Sequence, residues 1–151
     1  GKDRIYGGSG NDYISGGRSN DRLYGQRGKD RIYGGSGNDY INGGKGRDSL
    51  IGGSGDDILI GGSGDDLLNG GTGQNKLNGG SGYDTFVLSS GEGFTTIADF
   101  QIGIDQLSIG ITDTIKTEFR EDDTLLFAGN DYLGKILDTR LDDNNKDIWM
   151  A

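Results

Sequence analysis

A repeat of nine residues occupies the first half of the chain and limits what it can fold into. Residues 7–87 divide into nine consecutive units, and residues 1–6 are the end of a tenth. Each unit follows the rule G-G-x-G-x-D-x-U-x, in which U is a large apolar residue. One unit cannot bury its apolar side chain, whereas stacked units can, so the repeat predicts a solenoid.

Position 8 is the apolar position, and no polar residue interrupts it. It is occupied by Ile5, Ile14, Leu23, Ile32, Ile41, Leu50, Leu59, Leu68, Leu77 and Phe86. Positions 7 and 9 are mostly polar or amphipathic, and this alternation predicts a three-residue strand whose middle side chain points inward. The six preceding residues are rich in glycine, which is typical of tight turns. Each unit is therefore predicted to be one turn and one strand.

Position 6 is acidic in all units but one, and this regularity indicates a bound cation. The acidic residues are Asp3, Asp12, Asp21, Asp30, Asp39, Asp48, Asp57, Asp66 and Asp84, and Asn75 stands in the remaining unit. Strands of neighbouring coils lie about 4.8 Å apart, so carboxylates stacked at this spacing repel each other unless cations lie between them. Oxygen ligands of this kind suit Ca²⁺. Aspartate is also common in turns, but turn formation alone does not require a nine-residue register.

With this motif the chain resembles the RTX family of hemolysin-type calcium-binding proteins over residues 1–87. The resemblance implies an all-β fold, namely a right-handed parallel β-roll: a two-sheet solenoid of nonapeptide repeats, with two units in each coil and a C-terminal β-rich cap. It also implies that Ca²⁺ lies between successive coils, bound by position-6 side chains and by backbone carbonyls near positions 2 and 4. Pairing each position 6 with the one 18 residues further on allows up to about eight calcium ions.

The resemblance also assigns backbone ligands to the glycine-rich turns. The candidates are Gly8, Gly10, Gly17, Ser19, Gly28, Gly35, Gly37, Gly44, Gly46, Gly53, Gly55, Gly62, Gly64, Gly71, Gly73, Gly80 and Gly82. Three units depart from the motif: Ser19 replaces glycine at position 4, Gln26 replaces glycine at position 2, and Asn75 removes a charge. We expect position 4 to need a positive φ angle, so the weakest candidate sites are those at Ser19, at Asn75 and at the truncated turn of Asp3.

Residues 88–151 carry no repeat and are predicted to form a capping and secretion segment. Residues 97–107 have the pattern I-x-D-F-x-x-G-x-D-x-L, which resembles the segment that follows RTX repeats in many secreted bacterial proteins. The end of a solenoid exposes apolar side chains and unpaired strand edges. The residues expected to cover them are Phe94, Ile97, Phe100, Ile102 and Leu107. Strands are predicted at residues 106–111, 124–128 and 132–137, with a turn between the last two.

Composition excludes several classes of function. The 151 residues include no Cys and no His, which excludes disulfides, His-based catalytic triads and the usual zinc sites. Only 30% of the residues are hydrophobic and 32 are Gly, so metal binding is the expected help in folding. The net charge of −9, without a basic face that carries aromatic residues, argues against nucleic acid as a partner. No apolar run reaches transmembrane length, and no nucleophile motif is visible. The chain is therefore predicted to be a non-catalytic module, which could belong to a larger enzyme.

The expected function is that of a calcium-binding RTX module that folds on meeting Ca²⁺ after secretion and stabilises or caps an extracellular protein. The resemblance implies a Gram-negative bacterium and type I secretion, with an uncleaved signal at the extreme C-terminus, around residues 138–151. Because residues 1–6 begin inside a repeat, we expect a piece of a longer protein with an upstream catalytic or adhesive domain.

An alternative is the binding of an anionic, alginate-like polysaccharide. Arginine and tyrosine recur on the predicted outer faces of the first coils, at Arg4, Tyr6, Tyr13, Arg22, Tyr24, Arg31 and Tyr33. Arginine pairs well with carboxylates. A calcium roll followed by a short C-terminal section is also similar to the R-modules of mannuronan C5-epimerases, which bind alginate. The same residues would equally serve as solvated strand faces whose long side chains cover their neighbours.

Overall fold

The fold is described from a computed structural model. It describes residues 1–88, 93–101, 103–109, 115–120, 123–128 and 131–137. All regular structure within these ranges is β-strand. The strands are β1 (Arg4–Ser9), β2 (Tyr13–Arg18), β3 (Arg22–Arg27), β4 (Arg31–Ser36), β5 (Tyr40–Lys45), β6 (Ser49–Ser54), β7 (Ile58–Ser63), β8 (Leu67–Ser81), β9 (Thr85–Leu88), β10 (Gly93–Ile97), β11 (Gln106–Ile109), β12 (Ile115–Arg120), β13 (Asp123–Ala128) and β14 (Asp131–Ile136).

The repeat winds into two facing rows of parallel strands. Sheet A contains β1, β3, β5, β7 and the second half of β8, and sheet B contains β2, β4, β6, the first half of β8 and β9. Partners within the repeats lie 18 residues apart, as with Ile5 and Leu23 in sheet A or Ile14 and Ile32 in sheet B. Two units therefore make one coil, and the predicted all-β, right-handed parallel β-roll is confirmed.

The strands are longer than the predicted three residues. Each regular strand spans positions 7 to 9 and then positions 1 to 3 of the next unit, because the residues at positions 2 and 3 also pair with the neighbouring coil. In sheet B, for example, Gly17 pairs with Gly35 and Arg18 with Ser36. Alternation of polar and large apolar side chains was the signal for positions 7 to 9, whereas backbone pairing of a glycine leaves no such signal in a sequence.

The position-8 column forms the core, as predicted. From Leu23 to Phe86 every member of the column has no exposed surface, while Ile14 is 5% exposed and Ile5 is only partly buried at the N-terminal end. Full burial of one such side chain contributes about 1.5–3 kcal/mol. Ile58 and Leu67 point outward as the alternation predicts, and both are exposed.

The two sheets continue beyond the last full unit. Strand β10 pairs in parallel with β8 and places Ile97 beside Leu77, and β11 pairs with β9 and places Leu107 beside Phe86. The ring of Phe100 lies 6.0 Å from that of Phe86. Ile97 and Phe100 are buried, and Leu107 packs against the core. Phe94 is half-buried, and Ile102 lies outside the described residues.

Strand β14 pairs in parallel with β10, and antiparallel β13 and β12 follow. Ala128 pairs with Asp131, so the hairpin expected between residues 124–128 and 132–137 is confirmed, although its turn residues lie outside the described ranges. The strand expected at 106–111 is described as far as Ile109. Residues 138–151 lie outside the described residues.

Candidate calcium-binding sites

The turns of the roll line up along two edges, and each edge carries a column of position-6 side chains. The first edge carries Asp12, Asp30, Asp48, Asp66 and Asp84, and the second carries Asp3, Asp21, Asp39, Asp57 and Asn75. In all of these side chains except Asp3 and Asp12, which lie in the first coil, Oδ1 accepts a hydrogen bond from the position-6 N–H of the preceding coil, at 2.7–3.0 Å in all eight pairs. The members of the eight predicted pairs are therefore neighbours, and the binding of an ion to each pair stays a prediction.

The second carboxylate oxygen is the chemically informative one. Oδ2 is buried without a hydrogen-bond partner in eight side chains, which are Asp12, Asp21, Asp30, Asp39, Asp48, Asp57, Asp66 and Asp84. An unsatisfied buried polar atom costs about 1–3 kcal/mol, and a charged one costs more. The residues present therefore fit a cation: each of these eight turns offers a buried anionic oxygen that no group of the described chain satisfies.

The position-1 glycines make room for this oxygen. A Cβ added at Gly16 would lie 2.6 Å from Asp21 Oδ2 and 2.8 Å from the Gly34 carbonyl oxygen. Gly16 does not have a positive φ angle. This position therefore requires glycine because of the neighbouring carboxylate, and not because of the backbone conformation. Sequence reasoning treated all the glycines as turn formers and missed this steric role.

Positions 2 and 4 need glycine for a different reason. Every glycine proposed above as a carbonyl ligand has a positive φ, between 85° and 131°. Ser19, with φ 84°, and Gln26, with φ 81°, are the non-glycine residues with positive φ within the described ranges. The expectation that the motif requires positive φ where Ser19 stands is confirmed, and Gln26 meets the same requirement at position 2.

Burial perturbs the acidity of these carboxyl groups. Burial raises the pKa of Asp57 to about 6, of Asp66 to about 7 and of Asp84 to about 6, and neighbouring carboxylates add smaller upward contributions. Burial raises the pKa of Asp39 and Asp48 in the same direction. A cation beside these groups would favour the charged form and reverse the shift.

The described residues hold no cluster of three or more acidic, His or Cys side chains that could bind a metal by themselves. A cation between coils must therefore take backbone carbonyls as well as carboxylates. Such a mixed set of oxygen ligands is typical of Ca²⁺ sites.

Asn75 behaves differently from the aspartates. Its Oδ1 accepts from Asp57 N–H at 2.9 Å, as the aspartates do, and this contact fixes the orientation of the amide. Its Nδ2 therefore stands where the others have Oδ2, and it donates to the Gly71 carbonyl oxygen at 3.3 Å. No atom of Asn75 is left buried and unsatisfied.

Two acidic residues beyond the repeats join this system. Asp105 Oδ1 accepts from Asp84 N–H at 3.1 Å, so it continues the first-edge column, and its Oδ2 accepts from Gln101 N–H at 2.9 Å. Asp99 accepts from the N–H groups of Gly79 and Gly80 at 2.9 and 2.7 Å. The sequence held a signal for Asp105, because Gly103, Asp105 and Leu107 reproduce positions 4, 6 and 8 of the repeat.

Position 5 supplies a second column of hydrogen bonds, whose direction along the roll is opposite to that of the position-6 column. Here the side chain accepts from the position-5 N–H of the following coil: Asn20 from Asn38 at 3.1 Å, Asn38 from Asp56 at 3.0 Å, and Asp56 from Gln74 at 2.8 Å. On the first edge Asn11 and Asp65 make the same contact, to Lys29 and Tyr83 N–H. The motif leaves position 5 free, so sequence reasoning assigned it no role.

The residues considered for glycan binding lie on the outer faces of the first coils. Tyr6 stacks on Tyr24 with ring centroids 4.9 Å apart and an interplanar angle of 12°, and Tyr24 is 5.8 Å from Tyr40. Arg4 and Arg22 are cross-strand neighbours in sheet A. In sheet B, Tyr13 lies beside Arg31 and its ring is 5.5 Å from that of Tyr33. The Tyr24 ring thus lies near two other tyrosine rings, while Tyr6 and Tyr13 are 55% and 71% exposed.

Comparison with known proteins places the chain in a family. The profile of the RTX calcium-binding nonapeptide repeat, which represents four copies, matches residues 1–32, 15–50 and 51–86, so the chain belongs to this family. Among solved structures it resembles the extracellular lipase LipA from Serratia marcescens, with 20% sequence identity and a TM-score of 0.44. That alignment covers 91% of this chain and 38% of the lipase, so the chain spans well under half of that protein's length. No curated protein matches. The described residues contain no helix of the length and apolarity needed to cross a membrane.

Proposed function

We propose that the roll binds several Ca²⁺ ions between its coils and that it folds when they bind. The observation that carries the proposal is the set of eight buried Oδ2 atoms without a partner. When bound, Ca²⁺ supplies positive charge and empty coordination positions for oxygen. The carboxylates and the carbonyls of positions 2 and 4 would hold it, and the position-1 glycines keep the space around each Oδ2 open.

The dependence on calcium follows from electrostatics. Without a cation, folding must bury a column of carboxylates that have raised pKa values and one unsatisfied oxygen each. The position-8 column and the backbone pairing favour folding, but the glycine-rich chain loses much conformational entropy. The expected affinity is that of extracellular modules, about 10⁻⁴–10⁻³ M, so the turns that carry aspartate at position 6 would stay unfolded where calcium is scarce and fold outside the cell.

Circular dichroism tests this proposal directly. In EGTA the turns that carry aspartate at position 6, and the strands between them, should lack fixed β-structure, and added calcium should restore it cooperatively. Magnesium at the same concentration is the control and should not replace calcium, because it requires a tight octahedral site and gives up its water reluctantly. A chain that is fully folded in EGTA would contradict calcium-dependent folding.

We further propose that the segment beyond residue 88 caps the roll and that the whole is a non-catalytic part of a longer protein, secreted by a type I system of a Gram-negative bacterium. Support for the cap comes from Ile97 and Leu107, which extend the core column, and from Asp99 and Asp105, which accept hydrogen bonds from the last turns. A chain cut after Leu88 retains every position-6 aspartate of the repeats. It should nevertheless fail to fold, or aggregate, at calcium concentrations where residues 1–151 fold. Normal monomeric folding of residues 1–88 would contradict the cap.

Binding of an anionic polysaccharide is a second candidate, favoured by one observation. Arg4 and Arg22 are neighbours in sheet A, and the exposed ring of Tyr6 lies in the same coil as Arg4. A double variant, Arg4→Ala with Arg22→Ala, should be retained less than the unmodified roll on an alginate column at fixed calcium. A neutral glycan column serves as the control. Equal retention of both proteins on alginate would exclude this face as the binding surface.

A further inference from the structure

The turn that carries Asn75 has the donor that the other turns lack. In the aspartate turns, a carboxylate Oδ2 is buried without a partner. In the Asn75 turn, the atom in that place is an amide nitrogen, and it donates to the Gly71 carbonyl oxygen at 3.3 Å. Gly71 is the position-2 residue, and the carbonyl of a glycine at this position is a candidate calcium ligand throughout the repeat. An N–H group that points at this carbonyl satisfies it and presents positive partial charge where a cation would have to lie.

The same turn is also held by backbone pairing. Strand β8 runs without interruption from Leu67 to Ser81, through a stretch where the other units have a turn outside any strand. Strand β10 pairs with that stretch and places Gly93 beside Gly73 and Thr95 beside Asn75. The hydrogen bonds of β10 thus order residues 73–75, whereas no strand within the described ranges pairs with the corresponding residues of the aspartate turns.

The neighbouring turn is secured by side chains from the segment beyond the repeats. Asp99 accepts from the N–H groups of Gly79 and Gly80 at 2.9 and 2.7 Å, and Gln101 Nε2 donates to the Gly80 carbonyl oxygen at 3.0 Å. Both oxygens of Asp99 therefore have partners, in contrast to the repeat aspartates. These contacts hold the backbone on the far side of Asn75 without a metal.

We propose that the Asn75 turn binds no calcium and is closed instead by the Asn75 amide and by β10. The second edge of the roll then ends in a metal-independent turn, onto which the calcium-dependent turns of that edge stack. This inference rests on the proposed calcium binding by the aspartate turns. It assigns Asn75 the role of determining where along the second edge calcium binding ends.

Counting bound ions tests the proposal. Native mass spectrometry in millimolar calcium should show one more ion in Asn75→Asp than in the unmodified chain, because the substitution restores the second carboxylate oxygen and removes the competing N–H. Asp57→Asn is the matched control on the same edge, one coil away, and should bind at least one ion fewer than the unmodified chain. An unchanged number in Asn75→Asp would overturn the proposal. A complete absence of bound calcium in the unmodified chain would instead overturn the proposed function.

Hydrogen exchange of the unmodified chain decides the matter if Asn75→Asp does not fold. In metal-free buffer, the amides of residues 73–80 should exchange about tenfold more slowly than those of the equivalent turn at residues 55–62, a difference worth about one hydrogen bond. Equal exchange in the two turns would show that the Asn75 turn needs calcium as the others do, and would overturn the proposal.

Discussion

Replacing Ser19 with glycine is expected to stabilise the roll, although the substitution removes a side chain. Ser19 has a φ of 84°, in the left-handed region that costs an L-residue about 1–2 kcal/mol. Glycine avoids this cost but loses about 0.5–1 kcal/mol more conformational entropy on folding. The net gain should therefore lie between about 0 and 1.5 kcal/mol, with about 0.7 kcal/mol at the middle of the range. Gln26→Gly should give a similar gain, because its φ is 81°.

Ser36→Gly is the matched control. Ser36 is an exposed residue of β4 and is not among the residues with positive φ, so glycine there should destabilise by about 0.5–1 kcal/mol. Urea unfolding at saturating calcium, followed by circular dichroism, measures both effects. With a slope of about 1–3 kcal/mol/M, the two serine variants should have midpoints on opposite sides of the unmodified protein. A loss of stability in Ser19→Gly as large as in Ser36→Gly would refute the assignment of backbone strain to this turn.

Three other perturbations have defined outcomes. Gly16→Ala places a Cβ 2.6 Å from Asp21 Oδ2, so it should cost about 1–3 kcal/mol and raise the calcium midpoint of folding; an unchanged midpoint would exclude the steric role. Asn38→Ala removes a position-5 hydrogen bond and should cost about 0.5–1.5 kcal/mol in urea unfolding, whereas no loss would mean that this column is dispensable. The pKa values of Asp57 and Asp66 rise on folding to about 6 and about 7, so the metal-free fold binds protons more tightly than the unfolded chain. Its β-structure by circular dichroism should therefore increase as the pH falls from about 7 to about 4, and a decrease would contradict the direction of these shifts.

The sequence predicted the roll so well because its two strongest signals are both periodic. An apolar residue every nine positions specifies the core column from Ile5 to Phe86, and an acidic residue in the same register specifies the two edges. Both patterns follow from side-chain chemistry, which a sequence displays directly. The register of 18 residues came from the family resemblance and agrees with the pairing of Ile14 with Ile32.

The sequence did not reveal features that depend on distances between backbones. Position 1 looks like any other turn glycine until the carboxylate of the same unit, such as Asp21 beside Gly16, is placed next to it. The hydrogen bonds of position 5 are hidden because asparagine, aspartate, lysine and arginine all occur there. Asn75 appeared only as a lost charge, whereas its amide makes a bond that aspartate cannot make.

An anomalous-scattering map of crystals grown in millimolar calcium would test the central claim most directly. Calcium peaks should lie about 2.3–2.6 Å from Oδ2 of Asp30, Asp48 and Asp66, the carboxylate oxygens that have no partner within the chain. An ordered roll at that calcium concentration with no anomalous peak beside these oxygens would contradict calcium binding between the coils.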